Sequence, residues 1–198
     1  QAVGKVEVDI VKDQIDMLCL SAHKFNGPKG IGALYVNRNN PKLKVIAQMD
    51  GGKHERGMRS GTLNVPGIVS LGKACDLARL EMKTNQEKLY FLRNKLEQSI
   101  LSKLENTSVN GGNAPRLAHV TNIAFGGVDG EMLLGNLKNI AVSSGSASTS
   151  ASVLPSHVLK AMGINDDLAY SSIRFSLGKY TTEEEIDFAI NHVVEVIE

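Results

Sequence analysis

The sequence predicts an α/β protein built from two lobes. Two short apolar runs, at 15–20 and 31–36, have the length and composition of buried strands. A charged segment at 84–104 carries leucine and isoleucine at helical spacing, and strand-like and helix-like segments alternate after it. With 198 residues and 42% hydrophobic content, the chain can build a real core.

The composition argues against several classes of partner. Lys and Arg number 22 against 21 Asp and Glu, and no run of five like charges occurs, so neither nucleic acid nor an anionic membrane is indicated. No apolar stretch reaches the length of a membrane span, and no segment resembles a signal peptide. Cys19 and Cys75 lie in apolar segments without ligand spacing, which indicates no disulfide framework, no metal site and a reducing, intracellular setting.

In the first lobe, two loops rich in glycine separate the predicted elements. Residues 21–30 form a tight Gly- and Pro-containing loop between the two strands. Residues 51–62 form a second loop, which ends where Pro66 can occupy the first turn of a helix. The apolar residues on one face of that helix are Ile68, Leu71, Cys75 and Ala78. Cys75 is therefore predicted to be a core residue.

The second lobe begins near the long amphipathic helix, and we place the domains at 1–82 and 83–198. The apolar stripe of this helix consists of Leu89, Leu92, Leu96 and Ile100. Strands are predicted at 119–125, 140–143 and 172–177, and helices at 131–137 and 156–162, the latter ended by Gly163.

The last helix has the clearest start signal in the chain. Thr182 and Glu185 have the spacing of a capping box. One apolar face follows, formed by Ile186, Ile190, Val193 and Ile197. This second lobe is therefore expected to be an α+β or α/β unit.

Lys24 is the first candidate for chemistry. It follows a predicted buried strand, where partial desolvation would lower the pKa of its amine and favour imine formation. Ser21 and His23 offer hydrogen-bond donors suited to a phosphate. The alternative from spacing alone is an ordinary loop with a solvated lysine.

Three further segments carry polar groups of interest. The loop at 51–62 allows close approach of an anion, with Arg56, Arg59 and Thr62 as donors, or is simply a structural turn. Arg174 shares a strand face with Ser172 and Ser176 and can grip a carboxylate, or form a surface ion pair. The serine-rich run at 143–150 has the composition of an exposed mobile loop or linker.

Four long stretches, in order, give the chain a specific resemblance. They read SAHKFNGPKGIGALYV at 21–36, GGKHERGMRSGTLNVPGIV at 51–69, AVSSGSASTSASVLPSHVLKAMG at 141–163 and SSIRFSLGKYTTEEEID at 171–187. From Gln1 nearly to Glu198, the chain resembles the C-terminal half of cysteine desulfurases of the iron–sulfur cluster assembly type, which are class-V aminotransferases. This resemblance implies the end of a large aspartate-aminotransferase-type domain followed by the small C-terminal domain.

The resemblance also implies roles for individual residues around pyridoxal 5'-phosphate. Lys24 looks like the Schiff-base lysine, Ser21 and His23 like phosphate ligands, and Gln1 like the glutamine that contacts the phenolic oxygen. Thr62 resembles the threonine that reaches the phosphate of the other subunit, which implies a homodimer, and Arg174 the arginine that binds the carboxylate of L-cysteine. An iron–sulfur scaffold protein or a tRNA-thiolation protein would accept the sulfur.

Ser148 departs from the family pattern. It stands where the S-G-S-A-C-T-S motif has the cysteine that takes sulfur as a persulfide, and a serine oxygen cannot do so. The sequence therefore predicts a desulfurase form that binds cofactor and substrate but does not transfer sulfur.

Several further expectations accompany this interpretation. The family's histidine that stacks on the cofactor, its asparagine and its aspartate all precede Gln1, so we expect a missing N-terminal half. The alternatives are selenocysteine lyase or a related lyase, and a non-catalytic module that dimerises or binds a partner. The expected location is the cytoplasm, or the mitochondrion in a eukaryote.

Overall fold

One helix, α1 (Val65–Lys103), is 39 residues long. The structure, a computed structural model, describes residues 1–144 and 155–198. Within them the chain forms two units, Gln1–Lys83 and Thr84–Glu198, and the division falls inside α1. The sequence predicted two separate helices in this region. That prediction is wrong, because good helix formers such as Leu80 and Met82 continue the helix across the predicted domain boundary. The assignment of 1–82 and 83–198 to two named domains stays a prediction.

The first unit contains a two-stranded antiparallel sheet. Strands β1 (Met17–Ser21) and β2 (Gly32–Val36) pair from Met17 opposite Val36 to Ser21 opposite Gly32. The strands are where the sequence predicted them, but the expectation that both are buried is wrong. Met17 is 44% exposed and Leu34 49% exposed, because no described element covers that part of the pair.

A small apolar cluster joins this sheet to the first half of α1. Its buried members are Ala22, Phe25, Leu71 and Ala74, and Cys75 packs against them, so the prediction that this cysteine is a core residue is confirmed. Gly27 permits Ala22 of the turn and Ala74 of α1 to lie close to its backbone. A Cβ atom there would lie 2.8 Å from that of Ala22 and 3.0 Å from that of Ala74.

The second unit is built on a four-stranded antiparallel sheet in the order β3-β4-β6-β5. The strands are β3 (Thr107–Val109), β4 (Val120–Phe125), β5 (Ser143–Ser144) and β6 (Ser172–Ser176). The helices are α2 (Gly130–Asn136), α3 (His157–Ala161), α4 (Asp166–Tyr170) and α5 (Glu183–Ile197). Strand β3 and helix α4 were not predicted, and of the strand predicted at 140–143 only Ser143 lies in β5.

The core of the second unit lies between one face of this sheet and helices α1, α2 and α5. Its buried members include Leu96 and Ile100 of α1, Ile123 of β4, Ile173 of β6 and Ile190 of α5. The predicted apolar stripes of α1 and α5 are therefore confirmed. So is the capping box, in which Thr182 Oγ1 accepts from the amide of Glu185 and Glu185 Oε2 accepts from the amide of Thr182.

A buried group of charges lies at the edge of this core. Arg116 donates to both carboxylate oxygens of Glu97, at 2.7 and 3.1 Å, and Arg93 Nη1 donates to the carbonyl of Leu117 at 2.7 Å. Burial raises the pKa of Glu97, but hydrogen bonds from Arg116 and the charges of Arg116 and Arg93 outweigh it and leave the pKa below its ordinary value. This group ties α1 to the segment before β4.

Candidate active site

The turn after β1 holds three of the predicted site residues together. The chain leaves the strand at Ser21 and enters a single 3-10 turn, Ala22–Phe25, closed by the left-handed Asn26. Ala22 and Phe25 are buried and anchor the turn, which leaves His23 and Lys24 exposed. The expectation that Lys24 is desolvated is therefore wrong within the described residues. What the turn provides is a fixed backbone under exposed side chains.

The side chains of this turn are free to bind an anion. Within the described residues, those of Ser21, His23 and Lys24 make no hydrogen bond to the rest of the chain. Burial and the positive charge of Lys24 together lower the pKa of Lys5, which indicates that these two ammonium groups interact. The hydroxyl of Ser21, the imidazole of His23 and the amine of Lys24 lie within four consecutive residues and match the donors that a phosphate group requires. The donor set therefore fits pyridoxal phosphate.

The segment that carries Gln1 lies beside this turn, and Thr62 belongs to the same unit. Val3 packs against the apolar cluster, and a Cβ at Gly4 would lie 3.2 Å from the Cβ of Phe25, so the segment that begins with Gln1 passes beside the turn. Thr62 is exposed in the loop before α1. No hydrogen bond joins it to the rest of the described chain.

The second glycine-rich loop is held by hydrogen bonds from its own side chains to its own backbone. Ser60 is buried, and its hydroxyl donates to the carbonyl of Asp50 at 2.9 Å. Arg59 Nη1 donates to the carbonyl of Gly61 at 3.2 Å, and Arg56 has a left-handed backbone with φ of 59°. These contacts describe an ordered turn, and its role in anion binding stays a prediction.

Arg174 belongs to the second unit and lies on the outward face of the sheet. Its neighbours Ile173 and Phe175 are buried in the core, so strand alternation turns Arg174 to the opposite side, where it is exposed. Ser176 shares that exposure, whereas Ser172 is fully buried. Within the described residues the guanidinium of Arg174 makes no hydrogen bond or ion pair. The predicted alternative, a surface ion pair, is not formed there.

A polar network beside Arg174 was missed at the sequence level. Asn122 of β4 lies directly opposite Arg174. Its Oδ1 accepts from Asn110 Nδ2 at 2.6 Å, and the same nitrogen donates to Ser172 Oγ at 2.9 Å. An asparagine inside a predicted strand, on the face opposite the apolar residues, was the available signal.

Ser148 lies outside the described residues, so its prediction stays a prediction. Of the serine-rich run, Ser143 and Ser144 are described, and they form β5. Within residues 1–144 and 155–198, no group of three or more His, Cys, Asp or Glu side chains is arranged to hold a metal ion. None of the helices in these ranges combines the length and apolar character that crossing a bilayer requires.

The family is decided by comparison with known proteins. Residues 1–188 match the family described as aminotransferase class-V. The chain belongs to the class-V aminotransferase family. It is 54% identical over 197 residues to the cysteine desulfurase IscS of Anaeromyxobacter sp. (strain Fw109-5), covering 100% of this chain and 48% of that protein. It is 52% identical to the cysteine desulfurase IscS of Vibrio vulnificus (strain CMCP6), with the same coverage.

Solved structures agree with this assignment to the class-V aminotransferases. A NifS-like protein has a TM-score of 0.84 at 33% identity, covering 100% of this chain and 50% of that one. The NifS-like protein from Rickettsia africae ESF-5 also has a TM-score of 0.84, at 32% identity, covering 98% and 51%. The resemblance and the fold class predicted from the sequence are thereby confirmed, as is pyridoxal phosphate as the family's cofactor. The chain spans about half the length of the curated relatives that it matches.

Proposed function

We propose that this chain forms the cofactor- and substrate-binding part of a cysteine desulfurase, an enzyme that converts L-cysteine to L-alanine. The observation that supports this most directly is the turn after β1, where Ser21, His23 and Lys24 present donors without partners in the described chain. Identity of 54% to a cysteine desulfurase IscS favours this activity over other class-V chemistry.

Each residue of the turn has a distinct task in this proposal. Lys24 Nζ holds the cofactor until L-cysteine displaces this lysine. The freed Lys24 amine then moves the proton at the α-carbon of the substrate. Ser21 and His23 donate to the phosphate, and Gln1 donates to the phenolic oxygen. When bound, pyridoxal phosphate supplies an electron sink for the bonds at that carbon.

Substrate is oriented by Arg174. Its exposed guanidinium has no partner among the described residues and can bind the carboxylate of L-cysteine through two parallel hydrogen bonds. Thr62 is proposed to reach the phosphate of a second subunit, which makes the working form a homodimer. Its exposure in the loop before α1 is consistent with that role.

Sulfur transfer requires a thiol that this chain replaces with Ser148. In the complete reaction a protein thiol and L-cysteine give a protein persulfide and L-alanine, so the substrate C–S bond breaks and one S–S bond forms. A serine oxygen cannot hold that sulfur, and its hydroxyl is far less acidic than a thiol. We propose that the Ser148 form binds substrate without passing sulfur to an iron–sulfur scaffold or tRNA-thiolation acceptor.

The role of Lys24 is tested by trapping the cofactor. The protein is incubated with pyridoxal phosphate, reduced with borohydride and digested, and the modified peptide is located by mass spectrometry. We expect the adduct on Lys24, its loss in Lys24→Ala and its retention in Lys29→Ala, a matched exposed lysine five residues later. A reducible adduct that persists in Lys24→Ala would place the cofactor elsewhere.

The role of Ser148 is tested by Ser148→Cys. With reductant, pyridoxal phosphate and L-cysteine, this variant is expected to release L-alanine, while the parent protein releases none. If it binds the cofactor and releases no alanine, the desulfurase proposal is wrong and a non-catalytic partner-binding role is favoured. A strong preference for L-selenocysteine would favour a selenocysteine lyase.

The proposed location is the cytoplasm, or the mitochondrion in a eukaryote. Cys19 and Cys75 are both free thiols in the structure, which is consistent with a reducing compartment. The relatives that support the assignment, from Anaeromyxobacter and Vibrio, are bacterial proteins.

A further inference from the structure

A row of polar residues crosses the outward face of the sheet in the second unit. Arg174 of β6 lies opposite Asn122 of β4 on one side and opposite Ser143 of β5 on the other. Residues directly opposite in an antiparallel sheet have Cβ atoms about 5 Å apart and point to the same face. The side chain of Asn122 is therefore a direct neighbour of the Arg174 guanidinium, which has no partner among the described residues.

The amide of Asn122 is held in one orientation by a chain of hydrogen bonds. Ser172 Oγ gives its only hydrogen to the carbonyl of Leu168, at 2.6 Å, so it can only accept from Asn110. The group of Asn110 that faces Ser172 is therefore its Nδ2, at 2.9 Å, and the same Nδ2 lies 2.6 Å from Asn122. Asn122 must then present its oxygen to Asn110.

This leaves the Nδ2 of Asn122 as a fixed donor. It makes no hydrogen bond within the described residues, and the side chain is only half-buried. Asn110 is 8% exposed and Ser172 is fully buried, so the groups that orient the amide are shielded from water. A guanidinium and an amide N–H side by side, with neither bound to a carboxylate in residues 1–144 and 155–198, form a binding site for a small carboxylate.

We infer that Asn122 makes a second contact to the substrate carboxylate bound by Arg174, and that Asn110 is a positioning residue which holds the Asn122 amide for this contact. The inference rests on the proposed function, from which the amino-acid substrate is taken. It assigns the orientation of the carboxylate to two strands, β4 and β6, rather than to one.

The test compares binding of L-cysteine with that of cysteamine, which has the same thiol and amine but no carboxylate. Binding is followed in the parent protein, Asn122→Ala and Asn139→Ala by the side-chain amide and arginine signals in ¹H–¹⁵N spectra. It is followed in parallel by the absorbance of protein loaded with pyridoxal phosphate. Asn139 is a matched exposed asparagine beyond α2.

Asn122→Ala is expected to weaken L-cysteine binding about tenfold, the effect of losing one charge-assisted hydrogen bond, with cysteamine binding unchanged. Asn122→Asp is expected to weaken it more, because the new carboxylate pairs with Arg174. Asn110→Ala is expected to weaken it less and to shift the side-chain amide signals of Asn122. Asn139→Ala is expected to bind as the parent does.

Two outcomes separate this inference from the proposed function. If Arg174→Ala loses the preference for L-cysteine and Asn122→Ala keeps it, the inference about Asn122 is overturned and the role of Arg174 stands. If the parent protein shows no preference for L-cysteine over cysteamine, both are overturned. Retention of normal unfolding by Asn122→Ala and Asn122→Asp shows that neither result reflects a loss of fold.

Discussion

The two units of the chain differ in how well they bury their own apolar side chains. In the part of the chain that the structure describes, Thr84–Glu198 encloses a cluster of fifteen buried apolar residues, whereas the cluster in Gln1–Lys83 has four. The first unit also exposes large apolar side chains, with Val11 81% and Ile46 84% exposed. The proposed cofactor residues therefore stand on the lightly packed unit, and Arg174 on the densely packed one.

This difference matters for the proposed chemistry. Binding sites gain precision when the backbone that carries them is rigid, since less ordering is then required on binding. Arg174 and Asn122 lie on strands that share a full core, so their spacing is set before any ligand arrives. The turn that carries Lys24 is held mainly by Ala22 and Phe25, so the apolar contacts of those two residues decide how well it is ordered.

The largest expected effect compares matched truncations in the same helix. Leu96→Ala is expected to lower the free energy of unfolding by about 4 kcal/mol, because Leu96 is 1% exposed and fully enclosed in the larger cluster. Leu71→Ala, at 8% exposure in the smaller cluster, is expected to cost about half as much. Urea unfolding measures both, and equal losses would contradict the contrast between the units.

The next largest effect is expected when the buried carboxylate of Glu97 in the second unit is removed. Glu97→Gln is expected to cost about 3 kcal/mol at neutral pH, because it leaves Arg93 and Arg116 without their anion. Glu97 has a lowered pKa in the folded state, so its contribution is present above the ordinary glutamate pKa and is lost as the pH falls through the lowered value.

The difference in the free energy of unfolding between the parent protein and Glu97→Gln should accordingly become smaller below about pH 4. Urea unfolding at a series of pH values measures it. Glu105→Gln, at an exposed glutamate just beyond α1, serves as the control and should show no such gap. A gap that widens in acid would mean that the carboxylate does not stabilise the fold.

A smaller effect is expected at the start of α5. Thr182→Ala is expected to cost about 1 kcal/mol, because it removes the oxygen that accepts from the amide of Glu185. Thr182→Ser keeps that oxygen and should cost little. Thermal unfolding of the two variants gives the difference, and equal midpoints would show that the cap adds nothing to the stability of this unit.

The smallest effect is expected at the surface ion pairs that Lys95 of α1 makes with two carboxylates of α5. Lys95 lies 2.6 Å from Asp187 and 2.8 Å from Glu183, and its hydrogen bonds to Asp187 and Glu183 raise its pKa. Lys95→Ala is expected to destabilise the second unit less than Thr182→Ala does, since exposed ion pairs contribute little. The effect should disappear in 1 M salt and, because the folded-state pKa is raised, fade as the pH rises through it.

Much of the second unit was predictable because its signals are local. The capping residues and apolar face of α5 can be read from sixteen consecutive residues, 182–197, and the stripe of α1 repeats over several turns. Strand β3 has three residues, too few for alternation to show. Helix α4 has five, although Asn165, which caps it by accepting from the amide of Leu168, was an available signal.

The candidate site was predictable only in part, for a related reason. Lys24, Ser21 and His23 lie within four residues, so a motif contains them all and the turn brings them together. The exposure of His23 and Lys24 was not predictable, because it depends on which side chains anchor the turn. The orientation of Asn122 depends on Asn110 and Ser172, and no periodicity in the sequence links residues so far apart.

The separation of Asn110 and Ser172 has a consequence for how the protein folds. Their hydrogen bond closes a span of 62 residues, and the β4–β6 pairing that supports it is similarly non-local. Closing such loops costs conformational entropy before the contacts that stabilise them have formed, so these contacts form slowly. A helix such as α1 forms in about a microsecond. During refolding we expect helical signal to recover first and the ability to bind a carboxylate to return last.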